Sequence, residues 1–171
     1  MLSFQNYLKT IDEGGLSRVH GHLERGKAVG IVSADRGDKS GKENKRRSKS
    51  LMRRLRSKGY GPKKISGEYI EDDDGKPRKV KERSFVVTSD DHARLHKDIK
   101  QVGREYNQDS VLTVSKKRGS SLHGTGKSGW IKKGEVKRMG SSNIRSGKKV
   151  EKSAFKSRIK SKPFLFGDDD E

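Results

Sequence analysis

The chain has 171 residues, no cysteine and a formal net charge of +19, with an apolar fraction of 27%. The sequence excludes disulfides, thiolate metal sites, a secretory signal and a membrane-spanning helix, and it contains too little apolar material to pack the whole chain around one core. The positive charge indicates a polyanionic partner, nucleic acid before an acidic membrane surface, and we expect a soluble protein.

The first element is a short amphipathic leader over residues 1–13, whose apolar side chains fall mostly on one helical face. Ile11 and Glu13 form an Ile-x-Glu motif near its end. The leader resembles the capsid-targeting peptides of large tailed phages, which end in such a site and are cut there by the prohead protease. The resemblance implies a mature chain that begins at Gly14. A polar linker follows over residues 14–27.

The next segment, residues 28–58, is predicted to join a buried strand, a polar turn and a strongly basic helix. Residues 42–58 contain neither Gly nor Pro, and Leu51 and Leu55 lie on one narrow stripe. The other faces carry Lys and Arg, with Glu43 as the only acid. Such a density of like charge favours an anion alongside, so we expect the helix and parts of the C-terminal segment to face phosphates. The predicted nucleic-acid-binding residues are Lys45, Arg46, Arg47, Lys49, Arg53, Arg54, Arg56, Lys58, Lys132, Lys133, Lys148 and Lys149.

Three further strands and a second helix complete a predicted domain over residues 28–115. Residues 64–70 and 82–88 indicate a hairpin around an acidic turn. Residues 91–106 indicate an amphipathic helix, and residues 111–114 a last strand. The resulting order, β-α-β-β-α-β, predicts an α+β fold, a two-layer sandwich with both helices on one face of the sheet.

A series of short motifs lies along this domain. They are Ser33-Ala34, Asn44, Gly67 with Tyr69, Glu82, Ser84-Phe85-Val86-Val87 and Gln108-Asp109-Ser110-Val111. In this order they resemble a family of bacterial and phage domains of unknown function. The resemblance covers about half of the chain and supports the fold. Since that family has no settled activity, the resemblance implies no particular function.

Residues 116–171 are predicted to form a basic, largely disordered tail with an acidic end. Lys, Arg, Gly and Ser dominate, and the few apolar residues, such as Trp130 and Phe155, are too scattered to form a core. Residues 124–128 are similar to a phosphate-binding loop. However, Ser121 stands where that loop has Gly and no long apolar helix follows, so we interpret the segment as a flexible basic loop.

A polar cluster is predicted at the turn between the first strand and the first helix. Strand ends that meet a helix N-terminus favour anions, because free amides and the helix dipole point there. The same side chains equally suit a structural role, satisfying buried backbone groups. No metal site or cofactor is predicted: His92 and His96 stand four apart but lack a third ligand, and we interpret them as partly exposed surface histidines. The residues of the candidate anion pocket are Ser33, Arg36, Asn44, Glu82 and Gln108.

These observations leave three hypotheses. The favoured one is a non-enzymatic, phage-encoded nucleic-acid-binding protein, packaged in the head with the genome and processed by the prohead protease. Its partners would be DNA, or alternatively RNA, and the capsid scaffold, and it would move from the host cytoplasm to the virion interior. The second is a small-ligand-binding or enzymatic domain of unknown reaction that uses the anion pocket. The third is an RNA-binding factor acting on host translation, which the low aromatic content disfavours.

Overall fold

The computed structural model describes residues 16–73, 75–127, 131–146, 156–159 and 162–167. Within these residues the helices are α1 (Leu16–Glu24), α2 (Gly41–Ser57) and α3 (His92–Glu105). The strands are β1 (Ala28–Ser33), β2 (Lys63–Asp73), β3 (Lys76–Ser89), β4 (Ser110–Ser115), β5 (Gly119–Gly124), β6 (Val136–Gly140), β7 (Ile144–Ser146), β8 (Lys156–Ile159) and β9 (Lys162–Phe166).

The order β1-α2-β2-β3-α3-β4 confirms the predicted β-α-β-β-α-β pattern and the α+β class. Helix α2 begins with a capping box, in which Ser40 Oγ accepts the Glu43 amide at 3.2 Å and the Glu43 carboxylate accepts the Ser40 amide at 3.0 Å. Its apolar stripe is buried, with Leu51 and Leu55 fully inaccessible. The basic helix therefore forms where the sequence predicted it.

Helices α2 and α3 cover one face of the sheet, called here the outer face. Leu55 of α2 and Ile99 of α3 belong to one buried cluster with Phe85 of β3. At Gly30 of β1, an added Cβ would lie 2.6 Å from Ile99 Cγ1, so the missing side chain lets α3 approach the sheet closely. In the described part of the chain, no helix is long and apolar enough to cross a membrane.

The sheet curls until its two edges meet. Its strand order is β6-β5-β4-β1-β3-β2-β8-β9-β7, with antiparallel pairing throughout. In a flat sheet, β6 and β7 would lie about 38 Å apart, at about 4.8 Å per strand. They are joined by residues 141–143, which span at most about 14 Å. An added Cβ on Gly167, after β9, would lie 2.3 Å from the Met139 carbonyl oxygen of β6.

Curling encloses the other face of the sheet, called here the inner face, and α1 helps to fill it. Val19 and Leu23 of α1 are buried in one cluster with Ile31 and Val86. The helix occupies most of residues 14–27, which the sequence analysis assigned to a polar linker. Two apolar residues four apart are enough to dock a short helix once a concave apolar surface is available.

Strands β5 to β9 lie in the segment that was predicted as a largely disordered tail. The predicted domain boundary at residue 115 separates β4 from β5, which pair from Ser110 with Gly124 to Ser115 with Gly119. Phe164 and Phe166 of β9 are buried in the inner cluster. Strands β5 to β8 contain only one or two apolar residues each, and β9 contains three, so most of this segment lacks the pattern of a core element, although together the strands close the sheet.

Candidate functional site

Three polar residues, Ser33, Ser84 and Glu82, lie beside Gly67 on the inner face where β1, β3 and β2 pair, and are called here the polar row. Ser33 lies opposite Ser84, and Gly67 lies opposite Glu82. Glu82 and Ser84 share the inner face with Val86, because alternate residues of a strand point to the same side. A Cβ added to Gly67 would lie 3.8 Å from Ser84 Oγ and 3.9 Å from Glu82 Cβ. The row therefore unites two of the predicted pocket residues, Ser33 and Glu82, beside a position without a side chain.

Of the other three predicted pocket residues, Arg36 and Gln108 lie in loops and Asn44 lies in the first turn of α2, and all three bond to backbone groups. Asn44 Oδ1 accepts the Arg36 amide at 3.0 Å, and Asn44 Nδ2 donates to the Arg36 carbonyl at 2.9 Å. The Arg36 guanidinium donates to the Asn107 carbonyl, in the turn before β4. Gln108 Nε2 donates to the Asp35 carbonyl at 3.2 Å. These side chains hold the turn after β1 against the turn before β4, which is the structural role that the sequence analysis also considered.

Asp35 also belongs to this arrangement, although no pattern in the sequence indicates it. Its side chain is buried and accepts hydrogen bonds from Ser48 Oγ and from the Arg83 amide, both at 2.9 Å. The Arg83 guanidinium lies 3.3 Å from the same carboxylate. These partners are 13 and 48 residues away in the chain. An Asp in a turn is usually solvated, so nothing in its sequence neighbourhood signals burial.

Three of the predicted phosphate-binding cations on helix α2 and its C-cap residue bond to other parts of the chain. Arg47 Nε donates to the carbonyl of the residue after β1 at 2.7 Å. Arg54 makes two hydrogen bonds of 2.9 Å with the Glu105 carboxylate, and Lys58 Nζ lies 3.2 Å from Asp98 Oδ1. The described members of the set that remain exposed are Lys45, Arg46, Lys49, Arg53, Arg56, Lys132 and Lys133.

Several predicted site residues fall outside the described residues. They are Lys148 and Lys149 of the basic segment, and the processing residues Ile11, Glu13 and Gly14 of the leader. Their proposed roles stay predictions from the sequence.

A second buried carboxylate, Asp98, joins the end of α2 to α3. It accepts hydrogen bonds from the Tyr60 hydroxyl at 2.7 Å and from Lys58 Nζ at 3.2 Å, and Arg94 Nε lies 3.5 Å away. Burial opposes ionisation of Asp98, but the bonds from Tyr60 and Lys58 outweigh it and hold the pKa of Asp98 below its usual range. Burial and the bond to Asp98 raise the pKa of Tyr60. Because α3 covers the outer face, this network is separate from the polar row.

His96 and His123 lie against each other between α3 and β5, with ring centroids 5.9 Å apart. His123 Nε2 is 2.7 Å from Thr113 Oγ1, whereas the buried Nε2 of His96 has no hydrogen-bond partner among the described residues. Burial, with the positive charge of Lys100, lowers the pKa of His123 to about 4, and burial also lowers the pKa of His96. Among the described residues, no three His, Cys, Asp or Glu side chains are placed to hold a metal ion.

A family model described as the S-adenosylmethionine lyase family matches residues 30–159. The chain belongs to the S-adenosylmethionine lyase family. The match begins in β1, ends with β8 and includes the whole polar row and Asp35. It also continues across the predicted domain boundary at residue 115.

Among solved structures, this S-adenosylmethionine lyase family member is similar to a phage SAM lyase in complex with S-methyl-5′-thioadenosine. The identity is 14% and the TM-score 0.32, with 65% of this chain and 85% of that chain covered. A TM-score of that size carries no argument about the fold. No curated protein matches the chain. The family match supports membership of a protein domain family, as the resemblance implied, but the comparisons support neither the predicted motif pattern nor the leader.

Membership of a lyase family overturns the favoured hypothesis. The chain was expected to be a non-enzymatic nucleic-acid-binding protein with DNA, the capsid scaffold and the prohead protease as partners, and this interpretation is wrong. The error lay in deriving a ligand from net charge, which governs solubility and long-range attraction but does not identify a site. Part of that charge is moreover paired with carboxylates of the chain itself, at Arg54 on the surface and at the partly buried Lys58. The second hypothesis, an enzymatic domain, is the one that the family supports.

Proposed function

We propose that this chain cleaves S-adenosylmethionine as a lyase, without water as a reactant. The observation that carries the proposal is the family match over residues 30–159, which includes the strands of the polar row. The proposal specifies the second hypothesis, an enzymatic domain of unknown reaction, by naming its substrate and its reaction class.

The sulfonium group of this substrate allows cleavage by internal displacement. An oxygen of the substrate's own carboxylate attacks Cγ, so a C–O bond forms while the Cγ–S bond breaks. The electron pair leaves with sulfur, which becomes a neutral thioether. The products are homoserine lactone and S-methyl-5′-thioadenosine, and the step needs no proton transfer. The protein then has to hold the substrate folded, with its carboxylate in line with the Cγ–S bond.

The change of charge during this reaction suggests what Glu82 does. The sulfonium charge disappears as the bond breaks, so a carboxylate touching sulfur would stabilise the substrate more than the transition state. The ribose hydroxyls and the ammonium group of the substrate remain hydrogen-bond donors throughout. We assign the Glu82 carboxylate to one of these donors, with the Ser84 hydroxyl as the neighbouring polar group.

Arg36, Asn44 and Gln108 have a structural role next to this surface, since they hold the turn after β1 against the start of α2 and the turn before β4. Asn44 and Gln108 bond to backbone groups, and Arg36 bonds to the Asn107 carbonyl and the Asp38 carboxylate, so an anion bound at the turn would have to displace those bonds. The proposal therefore keeps the two members of the predicted anion pocket that lie on the inner face, with Glu82 as the substrate-facing group and Ser33, whose hydroxyl bonds to the Arg83 carbonyl and the Asp35 amide, as its support.

The substrate also suits one of the predicted locations. S-adenosylmethionine is a water-soluble metabolite of the cell interior, so the enzyme would act in the host cytoplasm. The later stage in the virion interior depended on the packaged-protein hypothesis and is not part of the proposal.

Cleavage in water enriched in ¹⁸O tests the proposed reaction. We expect the purified full-length chain to release S-methyl-5′-thioadenosine and homoserine lactone in equal amounts, measured by mass spectrometry. The ring oxygen of the lactone should carry no label, because it comes from the substrate. Label in the side-chain hydroxyl of homoserine would indicate hydrolysis instead, and intact substrate would contradict the proposal.

S-adenosylhomocysteine is the matched control substrate. It has the same adenosyl and amino acid groups but a neutral thioether, which is a poor leaving group. It should remain intact in the same assay while competing with S-adenosylmethionine for the site. Its cleavage at a comparable rate would exclude the sulfonium displacement.

A further inference from the structure

Side chains hold the backbone of Arg83 at the point where β1 ends. The pairing of β1 with β3 stops at Ser33, which lies opposite Ser84, so β1 offers no backbone partner beyond it. The Arg83 amide donates instead to Asp35 Oδ2 at 2.9 Å, and the Arg83 carbonyl accepts Ser33 Oγ at 2.6 Å. Two side chains thereby continue the hydrogen bonding of the sheet past the end of a strand.

Asp35 is the buried centre of this arrangement, with 7% of its surface exposed. Its carboxylate also accepts Ser48 Oγ at 2.9 Å and lies 3.3 Å from the Arg83 guanidinium, which compensates its charge. Its own amide donates to Ser33 Oγ at 3.0 Å, and its carbonyl accepts Gln108 Nε2 at 3.2 Å. One residue therefore connects β1, α2, β3 and the turn before β4.

Arg83 stands between Glu82 and Ser84, the two residues of β3 in the polar row. Both side chains move with the backbone at Arg83, and a displacement of about 1 Å in an active site can cost about 100-fold in rate. We infer that Asp35 is a positioning residue that holds β3 at Arg83 and so sets the placement of Glu82 and Ser84. Its effect on catalysis rests on the proposed lyase function, whereas its effect on β3 does not.

Substitutions of Asp35 in the full-length chain test the inference, with Asp98 as the matched control. Both carboxylates are 7% exposed and both are paired with a cation. Asp35→Asn keeps an acceptor for the Arg83 amide but removes the charge, whereas Asp35→Ala also removes the acceptor. Asp98→Asn and Asp98→Ala make the same two changes between α2 and α3, away from the polar row.

We expect kcat for cleavage to fall about 10-fold in Asp35→Asn and about 100-fold in Asp35→Ala, measured where both variants are folded. The Asp98 variants should keep kcat within about twofold, although they too lose stability. The inference is overturned if the Asp98 variants, at an equal loss of stability, lower kcat by the same factor as the Asp35 variants. Asp35 would then have no role in positioning beyond that of any buried carboxylate.

Backbone amide hydrogen exchange at Glu82–Ser84 tests the positioning without relying on cleavage. Exchange there should become faster in Asp35→Ala and should not change selectively in Asp98→Ala. Unchanged exchange in Asp35→Ala would overturn the inference even if activity fell. A wild-type chain that cleaves no S-adenosylmethionine while the exchange changes as expected would refute the proposed function and leave the positioning of β3 intact.

Discussion

Glu82 is the residue whose charge the proposed substrate binding uses most directly. It lies on the inner face of β3, opposite Gly67. Glu82→Gln keeps the size of the side chain and removes its charge, so a charge-assisted hydrogen bond to the substrate becomes a weaker neutral one. We expect kcat/KM for cleavage to fall at least about 10-fold, in steady-state assays at pH 7.

Glu105→Gln is the control for this change. Glu105 pairs with Arg54 at 2.9 Å, between α2 and α3 on the outer side of the sheet. Its substitution should leave kcat/KM within about twofold of the wild-type value. The assignment of Glu82 to the site is contradicted if Glu82→Gln keeps the wild-type kcat/KM. It is also contradicted if Glu82→Gln and Glu105→Gln lower kcat/KM by the same factor.

The pair of His96 and His123 is expected to make stability depend on pH. In the folded chain His123 stays neutral down to about pH 4, whereas an unfolded histidine takes up a proton below about pH 6.5. Its contribution to the free energy of unfolding is complete above pH 6.5 and is lost as the pH falls towards 4. At pH 5 the loss from His123 is about 2 kcal/mol. Urea unfolding at pH 7 and pH 5 measures it.

His123→Gln should remove most of this pH dependence while keeping a polar partner for Thr113. The control variant His92→Gln, changed on the same helix as His96, should retain the pH dependence of the free energy of unfolding. At pH 5 the carboxylates interfere little, because the lowered pKa of Asp98 affects stability only below about pH 4. An unaltered loss between pH 7 and pH 5 in His123→Gln would assign the effect to other groups.

At the scale of elements, neighbouring cations of α2 have different tasks. Arg47 donates to the Ala34 carbonyl at 2.7 Å and lies 5.9 Å from the centre of the Tyr106 ring, whereas Arg46 is exposed. Arg47→Gln should lower the free energy of unfolding by about 1–3 kcal/mol, because a buried carbonyl loses its donor. Arg46→Gln should change it by less than about 0.5 kcal/mol. Equal effects in urea unfolding would contradict the internal role of Arg47.

At the scale of the whole molecule, the curled sheet makes the C-terminal strands part of the core. Removing residues 116–171 deletes β5 to β9, and with them the buried Ile144 and Phe164. We expect this truncation to abolish cooperative unfolding, followed by circular dichroism during heating. A chain ending at Gly167 should unfold like the full-length protein. If the chain that ends at residue 115 unfolds cooperatively, then β1 to β4 with their helices form an independent domain.

Local patterns in the sequence predicted the two helices between residues 28 and 115 closely, whereas the hairpin strands Lys63–Asp73 and Lys76–Ser89 extend into the residues predicted as the acidic turn. The helix predicted over 42–58 is Gly41–Ser57, and the helix predicted over 91–106 is His92–Glu105. Capping and apolar spacing join residues three or four apart, so a short window of sequence contains both partners. The same reasoning placed candidate site residues near the end of β1, but it could not tell a ligand-facing side chain from one bonded to a turn.

Sequence alone therefore determined the helices and strands of the first part of the chain, its composition and its large positive charge. Only the tertiary structure decided the strand order, the closure of the sheet by β5 to β9, and the pairing of Arg54 with Glu105 and of Lys58 with Asp98. It also decided the burial of Asp35, whose partner Arg83 is 48 residues away. Strand pairing and ion pairs of this kind form between segments that are far apart in the chain and that exclude water when they pack. A local sequence pattern contains only one of the two partners and therefore cannot predict the pairing.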